Sequence, residues 1–435
     1  MTKDLMIRAG AVYLPLVVAC IAGALRRTQT RLFAASLLSV VWTMPALVIV
    51  QELNAVAGWW TYAPGGITFC GMPLEIYTGW VILWGVVPQL VWRRFPVAGC
   101  AACMVAVDLI AMPLCRPVVV LGKGWLVGEG VASLLSLLPA LCIARWTAEN
   151  SHLRARAWLQ ISLAGLIFLF LVPELAVTLR TGHGWAPLLE MPSWSRQLAL
   201  QTILLLALPG VGAVVEFAER GNGTPIPFDA PIRLVTSGIY RYCANPMQVS
   251  CTLVLLAWTG LLRNPWLLAA PVASIIYSAG IAEWDEGEDL ARRFGKPWRE
   301  YRESVKSWIQ RWRAYHAGPA ARLFLSASCG PCGELWSWIR SRAPIGLEIV
   351  AAETLAPGSI RRMRYDPGDG TGTVEGVRAL GRAVEHLNLA WAMAGIALRL
   401  PLVWQFVQLV MDAIGLGPRD VSSAACESSA GGDPP

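Results

Sequence analysis

Residues 31–50 read RLFAASLLSVVWTMPALVIV. After the leading arginine, nineteen positions pass without a charge. A helix of that length and composition is long enough to cross the ~30 Å hydrocarbon core of a bilayer. The run is one of nine. The others lie at about 9–25, 74–92, 96–115, 127–145, 157–178, 197–217, 247–262 and 265–283. Across all 435 residues, apolar types make up 55% and charged types 15%, with a mean hydropathy of +0.50. A soluble domain carries about 25% charged residues. Lipid is therefore the expected solvent for most of this chain. The first run could serve as the core of a signal peptide. However, Arg26 and Arg27 follow it and no small-residue cleavage site stands out, so it reads as a retained helix.

The net charge of +7 sits largely in short gaps between the runs. Arg26, Arg27 and Arg31 follow the first run, Arg93 and Arg94 the third, Arg145, Arg154 and Arg156 the fifth, and Arg220, Arg233 and Arg241 the seventh. Basic residues favour the cytoplasmic side. The N-terminus is accordingly expected outside, and everything beyond residue 284 in the cytoplasm, in a multi-pass protein of a bacterial inner membrane. The charge reads as topology, and no nucleic-acid partner is expected. Trp59, Trp60, Tyr62, Trp80 and Trp92 fall near run ends, where aromatic side chains anchor at the interface. Six of the 11 cysteines, at 20, 100, 103, 115, 142 and 251, lie in or beside apolar runs and read as packing residues. The odd total argues against a disulfide framework. Only four histidines are present and no metal-type spacing emerges, so no metal is expected.

Four regions follow: an N-terminal transmembrane bundle (1–190), a second membrane region with a charged, aromatic cytoplasmic stretch (195–315), a small soluble α/β domain (320–422) and a low-complexity tail (423–435) expected to be disordered.

The second region holds two unusual segments. TPIPFDAPIRLVTSGIYRYCANPMQ (224–248) joins the seventh and eighth runs, and AEWDEGEDLARRFGKPWREYRESVKSWIQRW (282–312) follows the ninth. The first is polar and basic between two spans, so it must stay at the surface or line a polar cavity. The second is an acidic cluster followed by a basic, aromatic amphipathic helix, which on its own reads as a surface anchor.

Together these segments resemble the isoprenylcysteine carboxyl methyltransferase and phospholipid methyltransferase superfamily, over roughly residues 205–312. The resemblance implies a cytoplasmic-face site for S-adenosylmethionine and a lipid-soluble acceptor held among membrane lipids, with an isoprenoid as one candidate. It carries over to Gly238, Tyr240, Arg241 and Tyr242, to Asn245 and Pro246, to Glu286 with Leu290, Phe294 and Gly295, and to Trp298 and Tyr301. Arg241, Asn245 and Glu286 would be catalytic. Tyr240, Arg241, Tyr242, Asn245, Pro246, Glu283, Glu286, Trp298 and Tyr301 would bind the cofactor. Tyrosine and tryptophan faces favour a sulfonium cation, and arginine clamps carboxylates. Methyl transfer asks for alignment and exclusion of water more than for a strong acid or base. This chain departs from the family at Ala244 and Gln248, where the family often has arginine and tyrosine, and at Gly287, where it has a second glutamate. A similar Phe-Gly-x-x-Trp-x-x-Tyr ending occurs in sterol-reductase-like NADPH enzymes, the alternative membrane enzyme. The basic residues available here for that cofactor's phosphates are Arg292, Arg293 and Lys296.

ARLFLSASCGPCGELWSWIRS (321–341) reads as strand, turn and helix, with Cys329-Gly-Pro-Cys332 opening the helix. A thiol there is favoured as thiolate by the helix N-terminus. The segment resembles the thioredoxin superfamily, in its later course the DCC-type thiol oxidoreductases. Cys329 and Cys332 would be a redox pair serving a thiol-redox partner. Structural thiols and a zinc half-site remain alternatives, although no second Cys/His pair lies nearby. The fold expected overall is an all-α polytopic membrane bundle of about nine transmembrane helices with a C-terminal α/β thioredoxin-like domain. A membrane-tethered thiol–disulfide oxidoreductase is the alternative function. In the N-terminal half, Glu52 and Glu75, with Trp59, Trp60 and Tyr62, weakly resemble carotenoid-pathway membrane proteins of the lycopene cyclase and hydratase type, whose carboxylates protonate a polyene. Asp108 and Glu174 lie inside apolar runs, where carboxylates are functional candidates.

Overall fold

The computed structural model describes residues 3–25, 30–92, 94–178, 185–225, 231–356 and 359–418. The side chains of 30 and 281–286 lie outside that description, as does the expected tail at 423–435. Two compact units emerge. The first is Met1–Glu190 with Gly223–Ala230 and Leu262–Leu267, and the second takes in Met191–Asn222, Pro231–Leu261 and the chain from Leu268 onward. The expected regions 195–315 and 320–422 both fall largely in the second unit.

Among the described residues seven helices are long and apolar enough to span a membrane. Six belong to the first unit: α1 (Lys3–Leu25), α2 (Arg31–Ala57), α3 (Leu74–Val91), α4 (Val97–Leu114), α5 (Trp125–Ala148) and α6 (Leu153–Thr178). The seventh, α7 (Ser193–Gly221), opens the second. Pro15, Pro45, Pro113 and Pro209 sit inside these helices. Prolines are tolerated where neighbouring helices satisfy the freed backbone groups. The nine spans expected from sequence reduce to seven because the last two runs form shorter apolar helices, α8 (Pro246–Leu261) and α9 (Pro265–Gly280).

The first unit packs around Trp84, Cys100, Met104, Val118 and Leu137. A short ribbon pairs β1 (Trp60–Tyr62) antiparallel with β2 (Val119–Leu121). Asn54 holds its start, accepting from Trp60 N (2.9 Å) and donating to Trp60 O (3.0 Å). Trp60, expected at the interface, is instead buried and donates to Tyr62 Oη (2.9 Å).

In the second unit α10 (Glu283–Phe294) and α11 (Lys296–Ser304) lead to a four-stranded sheet. Its strands are β3 (Ala321–Leu325), β4 (Leu347–Ala351), β5 (Arg364–Asp366) and β6 (Val374–Glu375), in spatial order β4-β3-β5-β6. β3 pairs parallel with β4 and antiparallel with β5, and β5 pairs antiparallel with β6. The parallel pair needs a crossover, supplied by α12 (Gly330–Arg340). Helices α13 (Val377–Val384), α14 (Leu389–Arg399) and α15 (Val403–Leu416) complete the chain as described. Leu323, Leu325, Ile339, Tyr365, Ala379 and Ala383 form the core beneath the sheet.

Candidate functional sites in the second unit

The segment after α7 turns sharply at Gly238 (φ +59°) into one 3-10 turn, Gly238–Arg241. A Cβ on Gly238 would sit 2.9 Å from the Glu216 carboxylate, so glycine is required by conformation and by space. The two halves of the sequence motif then meet. Ala244 N donates to Lys306 O (2.9 Å), Arg311 N to Tyr242 O (3.0 Å) and Tyr315 N to Arg241 O (2.9 Å). Tyr301 Oη donates to Tyr240 O (2.8 Å), and Cys243 Sγ to Ser307 O (3.0 Å). Tyr240 stacks on Phe217 with centroids 5.1 Å apart.

Of the predicted cofactor residues, Tyr240, Arg241, Tyr242, Pro246 and Tyr301 are buried, and Asn245 and Trp298 are half-buried. Several polar groups are engaged within the protein. Tyr242 Oη donates to Glu385 O (2.9 Å), and Arg241 Nη1 to Tyr315 O (3.1 Å). Arg241 also contacts His316 Nδ1 (3.4 Å) through Nη1 and His386 Nε2 (3.2 Å) through Nη2. His386 Nδ1 lies 2.8 Å from Ile345 O and His316 Nε2 3.1 Å from Gly318 O. Each of those nitrogens must carry the proton to serve its carbonyl. The nitrogens facing Arg241 are thereby acceptors. Burial and then Arg241 push both imidazoles below the ordinary histidine range, His386 well below it. Among the described residues Arg241 Nε is buried without an acceptor. The side chains of Glu283 and Glu286 lie outside the described residues, although their backbone belongs to α10.

Beside this segment lies an ion cluster that the sequence reading missed. Glu216 is fully buried and accepts from Arg382 Nη1 (2.6 Å) and Ser237 Oγ (2.5 Å). Arg382 also reaches Glu219 (2.5 Å) and Glu385 (3.4 Å), and Arg399 closes on Glu385 at 2.5 Å. Burial opposes the charge of Arg382, but Glu216, Glu385 and Glu219 together hold it well above its ordinary pKa. The signal was present as spacing. Glu216 and Glu219 are i, i+3 at a helix end, and Arg378, Arg382 and Glu385 recur at helical intervals.

Cys329 caps the N-terminus of α12, and Gly333 N donates to its carbonyl (2.9 Å). Cys329 and Cys332 are both half-buried. The preceding loop is pinned by Glu353, which accepts from Ser326 Oγ (2.7 Å), Ala327 N (3.1 Å) and Ser328 N (3.2 Å). Burial raises the Glu353 pKa, but the Ser326, Ala327 and Ser328 bonds outweigh it and hold the carboxyl at about 2.

In the first unit the four candidate carboxylates have different surroundings. Glu75 faces Arg8 (3.5 Å), Glu174 accepts from Trp185 Nε1 (2.6 Å), and Glu52 is exposed. Asp108 is buried and accepts from Trp84 Nε1 (2.7 Å). Glu129, flanked by glycines and overlooked in the sequence, lines a cavity of about 40 Å³ with Gln51, Trp60, Tyr77, Trp80 and Trp84. That space is of the order of one or two waters, too small for an isoprenoid. A scan against protein-family models, a search of curated proteins and a search of solved structures found no match.

Proposed function

We propose that this chain is an integral-membrane, S-adenosylmethionine-dependent methyltransferase acting on a lipid-soluble acceptor, with an appended thiol–disulfide domain on the cytoplasmic side. The observation that carries the reading is the meeting of the two motif halves, which lie some sixty residues apart in the chain, through Tyr301–Tyr240 and Tyr315–Arg241. Arg241 fits an anionic cofactor group in part. Its charge is buried against the Tyr315 carbonyl and two neutral imidazoles, and its Nε has no acceptor among the described residues. Its Nη groups are occupied, so a two-point carboxylate clamp is not what this arrangement offers. Arg241 is better placed to position the segment and lend charge, with Asn245, Trp298 and the acidic residues of α10 left to contact the donor. The bound cofactor would supply an electrophilic methyl, leaving as a thioether while the acceptor gives up a proton.

A second reading, a membrane-tethered thiol–disulfide oxidoreductase, is favoured by the position of the Cys329–Cys332 pair at the start of α12. The sheet order β4-β3-β5-β6, with its parallel first pair and antiparallel hairpin, agrees with a thioredoxin-like domain. Calorimetry of S-adenosylmethionine binding to the full chain in nanodiscs separates the two. Saturable binding, weakened by Asn245→Ala and Trp298→Ala, supports the methyltransferase. No binding by folded protein that still reduces a small disulfide through Cys329 and Cys332 leaves the oxidoreductase.

A further inference from the structure

We infer that α15 lies in the plane of the membrane interface, with one face inserted between lipids and the other clamping the sheet domain to the bilayer. The inference stands apart from either functional reading. Leu389–Arg399 and Val403–Leu416 together are apolar enough for a span, but they meet at 89°. The break is built into the sequence. Pro401 disfavours helical backbone in the residue before it, and Leu400 is extended (φ −61°, ψ 142°). Leu402 takes the left-handed φ of +66°, a conformation leucine rarely adopts. Neither arm reaches across hydrocarbon. At 1.5 Å per residue, α14 is about 17 Å long and α15 about 21 Å.

The two faces of α15 differ in chemistry. Gln408 Oε1 accepts from Val377 N (3.0 Å), Asp412 makes two bonds to Arg362 (2.5 and 2.8 Å), and Trp404 lies under Arg378 (5.9 Å). This polar side is committed to the sheet domain. The opposite side presents Leu402, Val403, Phe406, Leu409, Val410 and Ile414, with Phe406 67% and Leu409 66% exposed. A soluble surface rarely shows such a contiguous patch.

Depth identifies the occupant. Ile396 of α14 packs on α7 at Gly212, where a Cβ would meet its side chain at 2.8 Å. Gly212 lies about 13 Å from the end of α7 at Gly221. The 29 residues of α7 extend about 44 Å, so they overhang a ~30 Å core by about 7 Å at each end if centred. Gly212 is then about 6 Å inside the hydrocarbon boundary. That is the depth at which amphipathic interfacial helices bury their apolar face, about 5–10 Å. A helix leaving α14 at a right angle and presenting leucine, valine and phenylalanine outward is placed to meet acyl chains.

The test is photo-crosslinking of the full chain in phosphatidylcholine nanodiscs, with benzoylphenylalanine replacing Phe406 or Leu409. The same probe at Leu204, exposed on α7, is the positive control, and at Glu348, exposed on β4, the negative one. Lipid adducts at 406 and 409 within about twofold of those at 204, and at least tenfold above those at 348, are expected. Adducts at 406 and 409 no more frequent than at 348 would overturn the inference. So would crosslinks there to a second copy of the chain, which would make the face a dimer contact instead.

Discussion

Arg241 is a buried cation whose side-chain partners include two imidazoles, and both must stay neutral for the arrangement to persist. His386 and His316 have folded-state pKa values below the ordinary histidine range. As pH falls through the unfolded value of about 6.5, the unfolded chain takes up protons that the folded chain refuses. Stability should therefore be intact above that pH and decline below it. Full burial lets His386 contribute up to about 1.4 kcal/mol per pH unit across the window. Thermal unfolding of the detergent-solubilised protein between pH 7.5 and 5 measures it. His386→Asn should flatten the acid slope, and an unchanged slope would place the titrating groups elsewhere. Arg382 gives a second expectation at this scale. Arg382→Met leaves Glu216 buried without its main partner and should cost about 3 kcal/mol or more. Glu216→Gln added to it should recover part of the loss, and strict additivity would mean the two side chains are not energetically coupled. The sequence made Arg241 conspicuous through its tyrosine neighbours but could not show its partners, because His386 is 145 residues away. Glu216 was harder to see, since a carboxylate ending an apolar run looks like a solvated helix end until the arginines that bury it are known.

The span-forming elements were legible because length and hydropathy are local properties. Seven of nine runs have the length of a span, and the last two form helices that start where the runs do but end at Leu261 and Gly280, short of a span. The Cys329–Cys332 turn was legible for the same reason: a β-prone run, a Gly-Pro step and a helix follow in order. Its support was not, because Glu353 reaches the turn from beyond β4. Glu353→Ala removes the acceptor for two backbone amides and two hydroxyls. Amide exchange across 326–329 should then accelerate by at least tenfold at neutral pH while that of β3 stays unchanged. Equal acceleration in β3 would show that the carboxylate supports the whole sheet and not the turn alone. At the Gly238 turn, alanine must adopt φ +59° and place its Cβ against Glu216. Gly238→Ala should cost about 1 kcal/mol from backbone strain alone, with faster amide exchange in 238–246 and in the 305–316 segment that pairs with it.

At the scale of the molecule, the border near residue 320 marks a change of composition more than a break in energetics. The change from amphipathic, aromatic sequence to a β-prone run is real, yet Met191–Asn222 and the chain after Leu268 share one compact unit. The reason is the ion cluster. Glu216 and Glu219, at the end of α7, find their buried counter-charges on Arg382 of α13 and Arg399 of α14. Ending the chain after Gly318 would strip those arginines away and leave two carboxylates in an apolar setting, a cost of several kcal/mol. The truncated protein should therefore lose its monodisperse peak on size-exclusion chromatography in mild detergent. Cys329→Ser/Cys332→Ser, which changes two half-buried thiols and no charge, should keep that peak. A truncated chain as monodisperse and heat-stable as the full one would mean that the cluster is dispensable and that the two regions fold independently. The expected outcome also bears on function. Because the proposed methyl transfer needs a folded protein to be tested in, the double serine variant is the right background in which to ask whether the thiols matter to it. Transfer that persists there assigns the thiol pair a separate role, and transfer that disappears in a folded variant ties the two sites together.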